Sequence, residues 1–178
     1  MRRSFALPVL ALPVLALSAV APRSDALAGG GGLDISVDAG REWIATRSPN
    51  DGALTLRGSD GATVVFRLVH AGDRDAATWF RDGVREAARA GVVVLRDAVE
   101  RRLGDRAWNE ARFRSLAADR TTPRTTIASA ADFGPCVIEA YWSAPERASD
   151  AQSREFDRLR AALRLVGLAE DANARRAQ

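Results

Sequence analysis

Two side chains could supply a nucleophile and its base, Cys136 and His70, each the only residue of its type among 178. A reactive thiol works as the thiolate, which needs an electropositive, partly open setting or a helix N-terminus. Cys136 stands instead in DFGPCVIEAYWS. Strand alternation there puts it in phase with Ile138, Ala140 and Trp142, while Val137, Glu139 and Tyr141 point the other way. His70 is in phase with Val64, Phe66 and Leu68. Both are therefore expected to be buried in apolar surroundings as unrelated core residues, and no catalytic set is expected.

His70, Asp73 and Asp75 form a possible metal-binding trio, but an aspartate just before a helix is an ordinary cap, so no metal or cofactor is expected. A Ser/His/Asp triad would have to use His70 again, and no serine lies in a nucleophile-elbow pattern. Binding residues are better represented. If 106–117 is a strand, Trp108, Glu110, Arg112 and Arg114 share its more polar face, and Glu139 with Tyr141 shows a similar mixture. Aromatic rings beside arginines suit sugars, peptides or anionic groups, and the expected partner is a protein, peptide or glycan of the envelope. The competing reading packs Trp108 under a helix while the arginines snorkel outward.

These residues belong to a chain that starts as an export signal. Residues 1–28 have a basic start at Arg2 and Arg3, an apolar middle, and Ala26-Leu27-Ala28 before the expected cut. Pro8 and Pro13 interrupt the apolar stretch, so it is not expected to remain as a transmembrane anchor. Removing Arg2, Arg3, Arg23 and Asp25 takes 26 basic and 23 acidic residues to 23 and 22, a net charge of +1. Every basic residue is arginine, which lifts the isoelectric point without creating a positive field. Nucleic-acid binding is therefore not expected. The expected location is periplasmic or secreted. A single cysteine forms no internal disulfide, so stability must come from the core.

Gly29 to Gly32 reads as a flexible leader, residues 33–168 as one domain, and 169–178 as a frayed tail. LDISVD alternates as a half-buried strand, a short extended piece surrounds Trp43 and Ile44, and ALTLRGSDGATVVFRLVH reads as a hairpin turning at 58–61. Phe80, Val84, Ala87 and Ala88 make a helical stripe over about 75–90, with Asp73 or Asp75 to cap its start and Gly91 to end it. Leu95, Val99 and Leu103 also fit a helix, but the β-branched run Val92 to Val94 and the turn-like Gly104-Asp105 favour two strands over 92–117. Pro123 makes TTPRTTIASAAD an edge strand or a long hairpin limb. Phe156, Leu159, Leu163 and Val166 define a closing helix, with Arg158 and Arg160 off its apolar stripe.

Hairpins rather than alternating βα units give an α+β fold: an antiparallel β-sheet with two main helices. The element order, the mid-chain helix ending in AARAG, the strand CVIEAYWSAP and the closing FDRLRAALRLV resemble the PsbP-like superfamily, which includes extrinsic photosystem subunits and DcrB-like bacterial envelope proteins. The resemblance implies an α/β/α sandwich and a non-enzymatic binding or assembly protein; it implies no particular ligand. The other reading from the residues is a small exported hydrolase or thiol enzyme using Cys136 and His70.

Overall fold

A computed structural model describes residues 33–49, 51–116, 122–134, 136–145 and 150–167. The expected leader, the glycine run and the tail from 169 lie outside the described residues. Strands β1 (Leu33–Ser36), β2 (Trp43–Arg47), β3 (Leu54–Gly58) and β4 (Thr63–Val69) precede helix α1 (Ala76–Arg89). Four longer strands follow: β5 (Val93–Leu103), β6 (Arg106–Leu116), β7 (Pro123–Phe133) and β8 (Cys136–Pro145). Helix α2 (Asp150–Ala162) and β9 (Arg164–Gly167) complete the described chain. The main sheet is antiparallel with order β2-β3-β4-β8-β7-β6-β5, and β1 pairs with β9 in a separate ribbon.

The order of strands explains the place of α1. From β4 the chain must pass β8, β7 and β6 to reach β5, four strand spacings or about 19 Å. A helix of 14 residues spans about 21 Å. The Asp75 carboxylate accepts the Thr78 N–H at 2.7 Å and so caps the helix; that backbone hydrogen bond holds the Asp75 carboxyl below its ordinary pKa. The Asp132 carboxylate accepts the Ala76 N–H at 2.9 Å and ties the same end to β7. Gly91, at φ 86°, supplies the left-handed turn that ends the helix.

Helix α1 buries Trp79, Phe80 and Val84 against Phe113, Ala128, Val137 and Tyr141 on one face of the sheet. Phe156, Leu159 and Leu163, from α2 and its end, join Phe66, Trp108, Ile138 and Trp142 on the other. The architecture is thus a helix on each face of an antiparallel sheet, an α/β/α sandwich. The stretch 92–117 is strand where described, because Val94, Ala111 and Phe113 are needed on the α1 face while Trp108 serves the opposite one.

TTPRTTIASAAD forms a long hairpin limb in the centre of the sheet and not an edge strand: Pro123 is the first residue of β7, so the missing N–H costs at most one terminal ladder bond. Three further expectations are corrected. The closing helix ends at Ala162, and Val166 lies in β9 opposite Asp34, because Leu33–Ser36 offers a strand edge that a longer helix would leave unpaired. His70 is exposed, since β4 ends at Val69 and the alternation that would have turned the ring inward stops there. Arg160 is buried, 1% exposed, in an ion cluster that helical periodicity alone does not reveal.

Cys136 is 5% exposed and packs in the same cluster as Ile138 and Trp142. Cys136→Ser puts a hydroxyl into that apolar site and is expected to cost about 1–3 kcal/mol in denaturant unfolding. Rapid modification of the native thiol, or an unchanged midpoint, would contradict this.

Candidate functional site

The α1 face of the sheet is only partly covered. Helix α1 lies over β5, β6 and β7, while toward the β2 edge Ile44 is 70% exposed and Arg57 is in solvent. Where the helix cover stops, β8 presents Glu139 and Tyr141 at successive positions of one face. Strand alternation places them there; α1 supplies the rest. Trp79 and Phe80 enter from the helix, Phe113 comes from β6, and Arg74 from the loop before α1 closes the rim. The enclosed space is about 40 Å³, enough for a few water-sized groups.

Its polar floor is held by hydrogen bonds. Glu139 is 6% exposed, and its Oε1 accepts the Trp79 indole N–H at 2.8 Å. Burial first, then the adjoining Glu139 carboxylate, push the Tyr141 phenol well above its ordinary pKa, with Arg67 acting in the opposite direction. Tyr141 therefore stays a neutral hydrogen-bonding group at physiological pH. Arg67 lies across from Glu139 in the β4–β8 register but pairs with Asp51 at 3.2 Å. The Arg74 guanidinium sits 4.5 Å from the Trp79 ring centroid, within cation–π range, and 4.0 Å from the Asp82 carboxylate. The arrangement can hold a small polar or cationic group against a carboxylate inside aromatic walls.

The sequence-derived binding residues do not all converge. Glu139 and Tyr141 line this pocket, whereas Trp108 lies in the cluster on the opposite face. Arg112 and Arg114 share its side of β6 by alternation, Arg112 half-buried and Arg114 exposed. Trp108 is fully buried, beneath an ion cluster. There Arg160 reaches Glu110 at 2.9 Å and Asp157 at 2.6 Å, and Arg101 reaches Asp157 at 2.9 Å and Glu110 at 3.3 Å. The Arg160 guanidinium also lies 4.2 Å from the Phe156 ring centroid.

Trp79, Phe113 and Arg74 were not singled out as site residues by sequence reasoning. The available signal was the Trp-Phe pair at 79–80 on the helix stripe, which periodicity assigns to core without saying what it faces. Cys136 and His70 occupy the positions just beyond the last β4–β8 pair, Val69 and Val137. Among the described residues no hydrogen bond joins them. A wider groove of about 270 Å³ runs beside β2 and β3, with Leu54 and Leu56 in its wall and Arg47, paired to Asp34, at its rim.

Solved structures of the same architecture exist. The cyanobacterial PsbP protein CyanoP from Synechocystis sp. PCC 6803 superposes with a TM-score of 0.50 at 16% identity, over 76% of this chain and 93% of that one. The fold is PsbP-like. LpqN of Mycobacterium tuberculosis, described as involved in cell envelope biogenesis, superposes at 0.51 with 14% identity, covering 76% of this chain and 85% of its own. A protein of Bacteroides thetaiotaomicron VPI-5482 gives 0.53 at 14% identity over 73% of this chain; the match spans 44% of that longer protein. No protein-family model and no curated protein matches the sequence. At these identities the likeness is one of fold, and the PsbP-like sandwich hosts the Glu139 pocket without assigning it a ligand.

Proposed function

We propose that this chain is an exported, non-catalytic binding or assembly module of the cell envelope. The observation that carries the reading is the Glu139–Tyr141 pocket, a buried polar floor walled by aromatic rings on a partly covered face of a PsbP-like sandwich. Small, mostly apolar sites with a few fixed polar groups suit recognition. The leader-like residues 1–28 support export, and the involvement of LpqN in envelope biogenesis is compatible with it. Sequencing the N-terminus of the protein recovered from the periplasm or medium should give Gly29 first. A mature chain that still begins at Met1 and stays in the cytoplasm would overturn the reading.

One observation favours a second reading, a thiol enzyme. Cys136 and His70 follow the last pair of two hydrogen-bonded strands, so their backbones are neighbours. Burial of the thiol opposes it, because a buried apolar setting disfavours the thiolate. Titration of the native protein with a thiol reagent separates the two: slow modification agrees with the binding module, fast modification with the enzyme.

A further inference from the structure

Buried carboxylates ordinarily have a cation beside them. Among the described residues Glu139 has no ion-pair partner: Arg67, its neighbour across the strands, turns to Asp51, and Arg74 to Asp82. The groups on Glu139 are neutral, the Trp79 indole at 2.8 Å and the Tyr141 phenol. Aromatic rings with a carboxylate make the surroundings in which a cation is stabilised by both charge and ring quadrupoles. Arg74 demonstrates the affinity at the rim. Its guanidinium lies over the Trp79 ring, yet its side chain remains 41% exposed, so this tethered cation can leave.

Gly83 is a second, independent sign. It stands inside α1, where glycine disfavours helix relative to any ordinary residue. Steric crowding does not require it, because a Cβ at Gly83 would meet no atom within 4 Å. The open space beside it belongs to the pocket, of whose lining Gly83 is part. A longer side chain there would fill the entrance.

We propose that this pocket receives a primary ammonium group on a slim aliphatic stem, as at the end of a lysine side chain, with Glu139 as its counter-ion and Trp79, Phe113 and Tyr141 as walls. Arg74 is the tethered cation that the ligand displaces from Trp79. The space of about 40 Å³ admits an ammonium with a methylene or two, and a primary ammonium brings N–H donors for Glu139 that a quaternary ammonium lacks. This assignment rests on the binding-module reading and names its ligand class. The two fail separately, since export and thiol reactivity say nothing about this pocket.

The test is a titration of the full mature protein, followed by NMR at the Trp79 indole N–H, whose peak is identified by its loss in Trp79→Phe. The probes are butylammonium, tetramethylammonium, butanol, and the blocked tripeptide acetyl-Gly-Lys-Gly-amide. Butylammonium and the peptide should shift the peak saturably, and butanol should not. Tighter binding of the peptide indicates a protein-borne lysine, and tighter binding of butylammonium a free amine; either outcome supports the shared chemistry. Arg74→Ala should strengthen binding severalfold. Glu139→Gln should weaken it about tenfold or more, by removing a charged hydrogen-bond partner. Gly83→Met leaves every charge in place, favours helix, and should abolish the shift; it decides the matter if Glu139→Gln does not fold. The proposal is overturned by the absence of saturable binding in both wild type and Arg74→Ala. It is equally overturned by butanol or tetramethylammonium binding as tightly as butylammonium, or by unchanged binding in Gly83→Met.

Discussion

Arg160→Ala is expected to lower the unfolding free energy by about 3 kcal/mol, because removing one member of a buried ion pair leaves its partner desolvated without compensation. The partner is Glu110, 1% exposed, whose Oε2 accepts from Arg160 at 2.9 Å. Arg101 at 3.3 Å and Arg112 at 3.9 Å remain beside Glu110, which keeps the loss toward the lower end of the roughly 3–5 kcal/mol found for such breaks. The same truncation removes the guanidinium from the Phe156 ring and the stem from the core. Arg160→Met separates the two contributions, since it keeps much of the stem and removes the charge. Pairing it with Glu110→Gln closes a double-mutant cycle, and recovery in the double variant is expected if unpaired charge dominates. Denaturant unfolding measures all of them. A loss below about 1 kcal/mol in Arg160→Ala would mean that the cluster is solvated and that α2 is held by its apolar contacts alone.

Leu163→Ala is expected to cost about 2–5 kcal/mol, a large share of the 5–15 kcal/mol available to an ordinary domain. Leu163 is 2% exposed and stands between the end of α2 and the start of β9. Its side chain therefore anchors two elements. The β1–β9 ribbon has only two strands, and an isolated pair of strands is marginal in water. Loss of the Leu163 anchor should loosen that ribbon beyond the general loss of stability. Hydrogen exchange checks this: amides of the β1–β9 ladder should lose more protection than those of β7 and β8. Wild-type stability in Leu163→Ala would mean that α2 is not packed on the sheet as described.

Most of the framework was legible in the sequence. Period-two runs in LDISVD and CVIEAYWSAP, turn residues at 58–61, and the stripe through Phe80 and Val84 state local geometry, and local geometry follows from side-chain alternation and backbone preference. Cys136 was assigned to the core by the same alternation, and the structure puts it there. The places left open or misread share a cause. Pro123 leaves edge strand and hairpin limb both open, because whether a strand is central depends on which strands flank it, here β6 and β8. Helical spacing continues through Val166 and predicts helix there, whereas the free edge of β1, more than a hundred residues earlier, decides for strand.

The candidate site divides along the same line. That Glu139 and Tyr141 share a strand face, and that Trp108 shares the other kind of face with Arg112, follows from counting by two along each strand. That the first pair faces α1 and Trp108 faces α2 is a matter of sheet order and crossover, which no stretch of sequence contains. Only the fold brings Trp79 to 2.8 Å from Glu139, sixty positions away, and Arg160 to 2.9 Å from Glu110, fifty positions away. Sequence by itself determined what most segments become, because that depends on neighbours within a turn or a strand; the segment at Val166, settled by the distant β1 edge, is the exception. Tertiary structure decided which buried charges meet, because a carboxylate's partner is chosen by packing across elements and by the cost of leaving it without one.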